Sequence, residues 1–144
     1  MSKFKFELEP VKKVKENLEL KVKREISVIE KQINEKLDER EALIQEIDSF
    51  RNYKLHKINA FEIQFIQNYK ITLNVKIKNI ENEILELQKI KENKINQLKI
   101  YSKEKKIIEK FEEIKKQEFV KQENKIEAKS FDELAIQKYL REKL

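Results

Sequence analysis

Apolar side chains recur every three or four positions along most of this chain, and charged or amide side chains fill the gaps. From Val11 the pattern runs through Val14, Leu18, Val22, Ile26, Ile29, Ile33, Leu37, Ile44 and Ile47. Steps of three and four place such residues on one face of an α-helix. Val11, Val22, Ile33 and Ile44 stand eleven apart, and an eleven-residue repeat is close to that of a straight helix. The stripe weakens at Arg40, where a regular repeat would want an apolar residue. A first helix is predicted over about residues 10–55. A second stripe follows: Ile66, Tyr69, Leu73, Ile77, Ile80, Ile84 and Leu87, then Ile95, Leu98, Tyr101, Ile108 and Phe111. It predicts a second helix over about residues 60–142.

The two helices need a turn between them, placed at about residues 56–60. Asn59 has the chemistry of an N-cap, and Glu62 stands three positions later, the spacing of a capping box. Ile58 and Ile63 are placed for a hydrophobic staple across the cap. Upstream, residues 1–9 alternate, with Phe4, Phe6 and Leu8 on one side and Lys5, Glu7 and Glu9 on the other. That reads as an extended lead-in. Pro10 is tolerated in the first turn of a helix, where a missing N–H costs nothing.

With the turn centred near residue 57, Pro10 would face about Lys105, and the lead-in would reach about Ile114. The last 30 or so residues of the second helix would then lack a partner in the chain. The stripe thins there as expected, with Ile114, Phe119, Val120 and Ile126 set among many charges. Ser130 to Glu133 has capping-box spacing, so the helix is a candidate to break or restart at Ser130. The predicted fold is all-α: an antiparallel two-helix coiled-coil hairpin whose second helix is longer than the first. One coiled-coil domain spans residues 1–144. A continuous helix that dimerises is the structural alternative.

Composition supports long helices. Of 144 residues 42% are charged, with no Gly and one Pro, so few turns can be built. No apolar run approaches the ~18 residues of a membrane span, and the N-terminus lacks the apolar core of a secretion signal. A soluble cytoplasmic protein is expected. The net charge of +6 is uneven: residues 1–30 carry 8 basic and 6 acidic side chains, and residues 91–144 carry 15 and 11. A hairpin would gather that excess at the end holding both termini, a fit for an acidic partner.

Several chemistries are excluded. Phosphate-cradling loops need Gly, which is absent. His56 is the sole histidine and no Cys assists it, so no zinc site or catalytic triad can be assembled. Acidic pairs such as Glu112-Glu113 lack a concave site that could desolvate one member. Lysines alternate with glutamates, as in Lys103 to Lys106, unlike a one-signed phosphate-tracking helix. No catalytic, cofactor-binding or metal-binding residue is assigned, and no nucleic-acid partner is expected.

Three stretches carry a resemblance. The first is the opening Phe4-Lys5-Phe6-Glu7-Leu8-Glu9-Pro10-Val11, continuing to Lys15-Glu16. The second runs from Ile66-Gln67-Asn68-Tyr69 through Leu73 and Ile77, and the third is Lys129-Ser130-Phe131-Asp132-Glu133-Leu134-Ala135. Together they resemble the FliJ family of the bacterial flagellar type III export apparatus. The resemblance implies a non-enzymatic stalk linking an export ATPase hexamer to the cytoplasmic domain of the export gate, and binding export chaperones to assist substrate delivery. It implies a monomer associated peripherally with the inner-membrane export complex. By motif position, Tyr69, Leu73, Lys76 and Ile80 are the gate-binding candidates, with Lys76 where the family pattern wants a small residue. Phe131, Asp132, Glu133, Leu134 and Ala135 are the ATPase-binding candidates. The equivalent stalk of an injectisome is the alternative within this reading.

Overall fold

The structure is a computed structural model and describes residues 2–51 and 59–143. Two helices account for nearly all of it, α1 over Glu9–Ser49 and α2 over Ala60–Lys143. They pack against each other in an antiparallel coiled coil, and α2, with 84 residues to 41, is the longer. This is the predicted fold class. Because α1 pairs with α2 of its own chain, the alternative of one continuous helix is set aside. Most of the predicted turn, including His56 and the staple residue Ile58, lies outside the described residues.

Both helix starts follow from local chemistry. The Glu62 N–H donates to Asn59 Oδ1 at 2.8 Å, and the Ile63 N–H donates to the Asn59 carbonyl at 3.1 Å. Asn59 thus satisfies an orphan donor of the first turn while opening the helical ladder. At α1, the Lys12 N–H donates to the Leu8 carbonyl. Glu9 is therefore the first helical residue and Pro10 the second, still within the turn whose N–H groups need no helical acceptor. Glu9 puts a carboxylate at the positive end of α1, and Arg141 and Lys143 put cations at the negative end of α2. Ser130 does not interrupt α2, which runs unbroken through it. A serine in a helix interior costs only a few tenths of a kcal/mol relative to Ala, roughly, too little to end a helix.

Packing divides the chain into two compact units. One is Leu20–Lys99 and the other joins the residues up to Glu19 with those from Ile100 onward.

In the Leu20–Lys99 unit the core is a narrow seam. Val22, Ile26, Ile29 and Ile33 of α1 and Leu73, Ile80 and Ile84 of α2 are buried. Ile29, Ile33, Ile80 and Ile84 form its central cluster, with Leu43 and Leu87 packed against them. The steps from Val22 to Ile33 are four, three and four, a heptad spacing that keeps a seam facing its partner. Continued, that spacing lands on Lys36, Arg40, Leu43 and Ile47, all partly buried. The eleven-residue series shares Val22 and Ile33 with this seam but does not set its continuation, and Leu37, expected on the seam, is exposed. Charged residues stand at seam positions, which is why counting apolar residues selects the wrong repeat. Lys36 Nζ lies 2.8 Å from Glu83 Oε2, and Arg40 Nε lies 2.9 Å from Glu81 Oε1. On the same α1 face, Glu25 meets Lys94 at 2.7 Å and Glu30 meets Lys91 at 3.4 Å.

In the other unit the lead-in and the start of α1 lie along α2. Lys15 pairs with Glu104 at 2.5 Å, Lys105 with Glu19 at 3.3 Å and Lys12 with Glu112 at 2.8 Å. Glu19 is buried, at 7% exposure, and the Oε2 atoms of Glu19 and Glu104 are shut off from solvent. Val11 and Val14, expected on the seam, are exposed. The expected register is corrected too: Lys105 sits opposite Glu19, not Pro10. The lead-in consequently reaches further than Ile114. Its alternation seats Phe4 against the Phe119 ring at 5.6 Å and Phe6 against the Phe111 ring at 6.1 Å, and Ser2 Oγ donates to Glu123 Oε1 at 2.6 Å. The register follows the charges, because shifting one strand of this seam would face like signs.

Leu73→Ala should lower unfolding stability by about 2–5 kcal/mol, the usual cost of a buried Leu truncation. Val75→Ala, on the exposed side of the same helix, should change it by less than ~0.5 kcal/mol; urea melts followed by far-ultraviolet circular dichroism measure both. A pH series forms the second test. Lys94, through its hydrogen bond, holds the Glu25 carboxyl below the usual carboxylate range. The stability this adds is present above the unfolded-state pKa and is lost as pH falls through the depressed value. Hydrogen bonds to Glu112 and Glu83 raise Lys12 and Lys36 above the usual lysine range. Their contribution is present below the unfolded-state pKa and is lost as pH rises through the raised values. The melting temperature should therefore form a plateau that falls on both sides, with Glu25→Gln flattening the acid limb.

Candidate partner-binding surfaces

The four gate-binding candidates of α2 do not share one accessible face. Leu73 is 1% exposed and Ile80 5%. Ile80 belongs to the central cluster with Ile29 and Ile33. Tyr69 is partly buried against α1: its Oη donates to Glu46 Oε1 at 2.5 Å, and its ring meets Phe50 edge-on at 5.5 Å. The hydrogen bond to Glu46, then burial, then the Glu46 charge push the Tyr69 phenol above its usual pKa. The phenol therefore stays a donor across the neutral range. Phe65 stacks on the outer side of Tyr69 at 6.4 Å. Lys76 is exposed.

Away from the seam, the start of α2 shows a different surface. Phe61, at 79% exposure, Phe65, Ile71 and Val75 all face solvent. Between Asn59 and Val75 the only charged side chains are Glu62 and Lys70. In a chain so rich in charge, a neutral stretch bearing two open phenyl rings is an adhesive surface. Reasoning from the stripe alone passed over these four residues. The dip in charge density was the signal that could have found them.

The C-terminal candidates lie on a second open stretch. Every residue from Asn124 to Lys143 is exposed. Phe131 is 71% exposed, and Ile126, Leu134, Ile136, Tyr139 and Leu140 are also open to solvent. Asp132, Glu133 and Ala135 share this exposure. Ile126, Ser130, Phe131 and Leu134 line a shallow hollow of about 320 Å³. The apolar residues do not keep to one side. At about 100° per residue, Phe131 and Leu134 sit within one sector, whereas Leu140, nine positions after Phe131, points the opposite way. Ile136, Tyr139 and Leu140 lie outside the motif that singled out Phe131 to Ala135.

Among the described residues no cluster of three His, Cys, Asp or Glu side chains is arranged to hold a metal ion. No described helix is long and apolar enough to cross a membrane. What the two open stretches of α2 offer is apolar contact area, the chemistry of protein binding.

Searches of the curated proteins and of the solved structures return no match. A family profile described as "Flagellar FliJ protein" matches residues 4–144. The match takes in the Phe4–Phe6 lead-in, both helices and the C-terminal stretch with Phe131. The chain thus belongs to the FliJ family, and with it to the flagellar type III protein export apparatus.

Proposed function

We propose that this protein is a non-enzymatic stalk, joining the ring of the export ATPase to the cytoplasmic domain of the export gate. In this role it assists delivery of chaperones and their cargo and works peripherally at the inner-membrane export complex. One observation carries the reading: the apolar residues of the last part of α2 surround the helix, with Phe131 and Leu140 on opposite sides. Apolar side chains spread around a helix are covered only where partner surface lies on more than one side. A flat partner would cover one side and leave the other wet, whereas the mouth of a ring covers both. Phe131, Leu134 and Ala135 provide the anchor on one side, Asp132 flanks it, and Glu133 stands on the side of Leu140.

The gate contact falls to the start of α2. Tyr69 and Lys76 reach the partner, while Leu73 and Ile80 act from the seam by fixing the rotation of α2. The larger contact area comes from Phe61, Phe65, Ile71 and Val75, whose exposed side chains have no charge to desolvate. One helix, α2, carries both surfaces.

A chain ending at Lys129 separates the two contacts. It should lose stimulation and binding of the cognate export ATPase and keep binding to the gate's cytoplasmic domain. The double change Phe61→Ser with Phe65→Ser should do the reverse. Full ATPase stimulation by the truncated chain would end the enclosure argument, and unchanged gate binding by the double variant would end the assignment of the neutral face.

A further inference from the structure

The Leu20–Lys99 unit carries a third surface, used by neither contact proposed above. Lys21, Arg24, Glu25, Val28 and Ile29 of α1 and Lys94 of α2 line a shallow groove of about 410 Å³. Val28 is exposed and Ile29 is buried beneath it, so the floor is apolar. Lys21 and Arg24 stand on one rim and Lys94 on the other. Ile90, one turn before Lys94 on the same side of α2, is exposed and extends the apolar strip.

The sign of this groove follows from the seam. Two acidic residues of this part of α1 are engaged across the helix pair, Glu25 by Lys94 and Glu30 by Lys91. Arg24 and Lys31 make no ion pair among the described residues. Cross-helix pairing thus engages the carboxylates and leaves Arg24 and Lys31 outside any ion pair among the described residues. Lys21, Arg24, Val28 and Lys31 are spaced three, four and three, the interval at which a helix meets another helix laid beside it.

We infer that this groove is a docking site for an acidic amphipathic helix of a partner protein, seated as a third strand beside α1 and α2. Leucine-like side chains of that helix pack on Val28, Ile29 and Ile90. Its flanking carboxylates face Lys21, Arg24 and Lys31. Charge complementarity selects the acidic partner, and cations spaced three and four apart around an apolar floor select a helix. A phosphate backbone would satisfy the cations but leave Val28 and Ile90 in water.

Fluorescence anisotropy with the full chain tests this. The probe is a labelled synthetic peptide of about three heptads, with Leu at the two inner positions and Glu at the flanking ones. A peptide of the same composition in scrambled order and a single-stranded oligonucleotide serve as competitors. The amphipathic peptide should bind, and Lys21→Glu with Arg24→Glu should weaken it by about tenfold or more. Val28→Ser should weaken it as well, and does so with the charges untouched if the reversal disturbs the helix pair. Equal binding of the scrambled peptide or of the oligonucleotide would overturn the proposal. So would unchanged affinity in both variants.

Discussion

Opposite charges facing each other across a thin apolar seam are the constraint on which this structure depends. Among the described residues seven buried apolar side chains, all in the Leu20–Lys99 unit, are few for helices of this length. They supply cohesion there, but an apolar stripe alone tolerates sliding by a heptad. Lys36 and Arg40 face Glu83 and Glu81, and Glu25 and Glu30 face Lys94 and Lys91. In the other unit Lys12 and Lys15 face Glu112 and Glu104, and Glu19 faces Lys105. An exposed pair contributes only about 0–1 kcal/mol. Their sum is less important than their order, because slipping the helices brings like charges into contact. Glu19 and Glu104 sharpen the point: a carboxylate oxygen held away from water opposite the wrong residue would be costly.

That use of charge shapes what is left for partners. Cross-helix pairing of Glu25 and Glu30 leaves the outer face of α1 cationic around Arg24. The start of α2 carries almost no charge, so Phe61 and Phe65 stand open with little electrostatic selectivity. Every residue from Asn124 to Lys143 is exposed, and the apolar side chains there spread around α2. Three surfaces of different chemistry therefore arise from one helix pair: a neutral apolar face, a cation-rimmed groove and a helix suited to enclosure. Membership of the flagellar FliJ family gives the setting in which such surfaces have work to do.

Much of the fold was legible in the sequence for physical reasons. Three-and-four spacing can only be a helix face. Asn59 caps α2 as its side chain allows. The alternation of Phe4 and Phe6 presents both rings to one side, and that is the side that meets Phe119 and Phe111. Register was not legible, because the residues that set it are charged and a search for apolar stripes discards them. Arg40 looked like a defect in the seam and is a seam residue paired with Glu81. Exposure of the candidate residues was only partly legible: Phe131 and Leu134, named by motif position, are open to solvent, whereas Leu73 and Ile80, named from an earlier stretch, face the core, since a stripe pattern cannot separate an open face from a seam.

The claim that cross-helix charge order sets the register is most directly tested by a charge swap. Lys36→Glu with Arg40→Glu places like charges opposite Glu83 and Glu81. Thermal melts should show a clear loss of stability, and adding Glu81→Lys with Glu83→Lys should restore most of it. Unchanged stability in the first variant, or no recovery in the fourfold variant, would contradict the account.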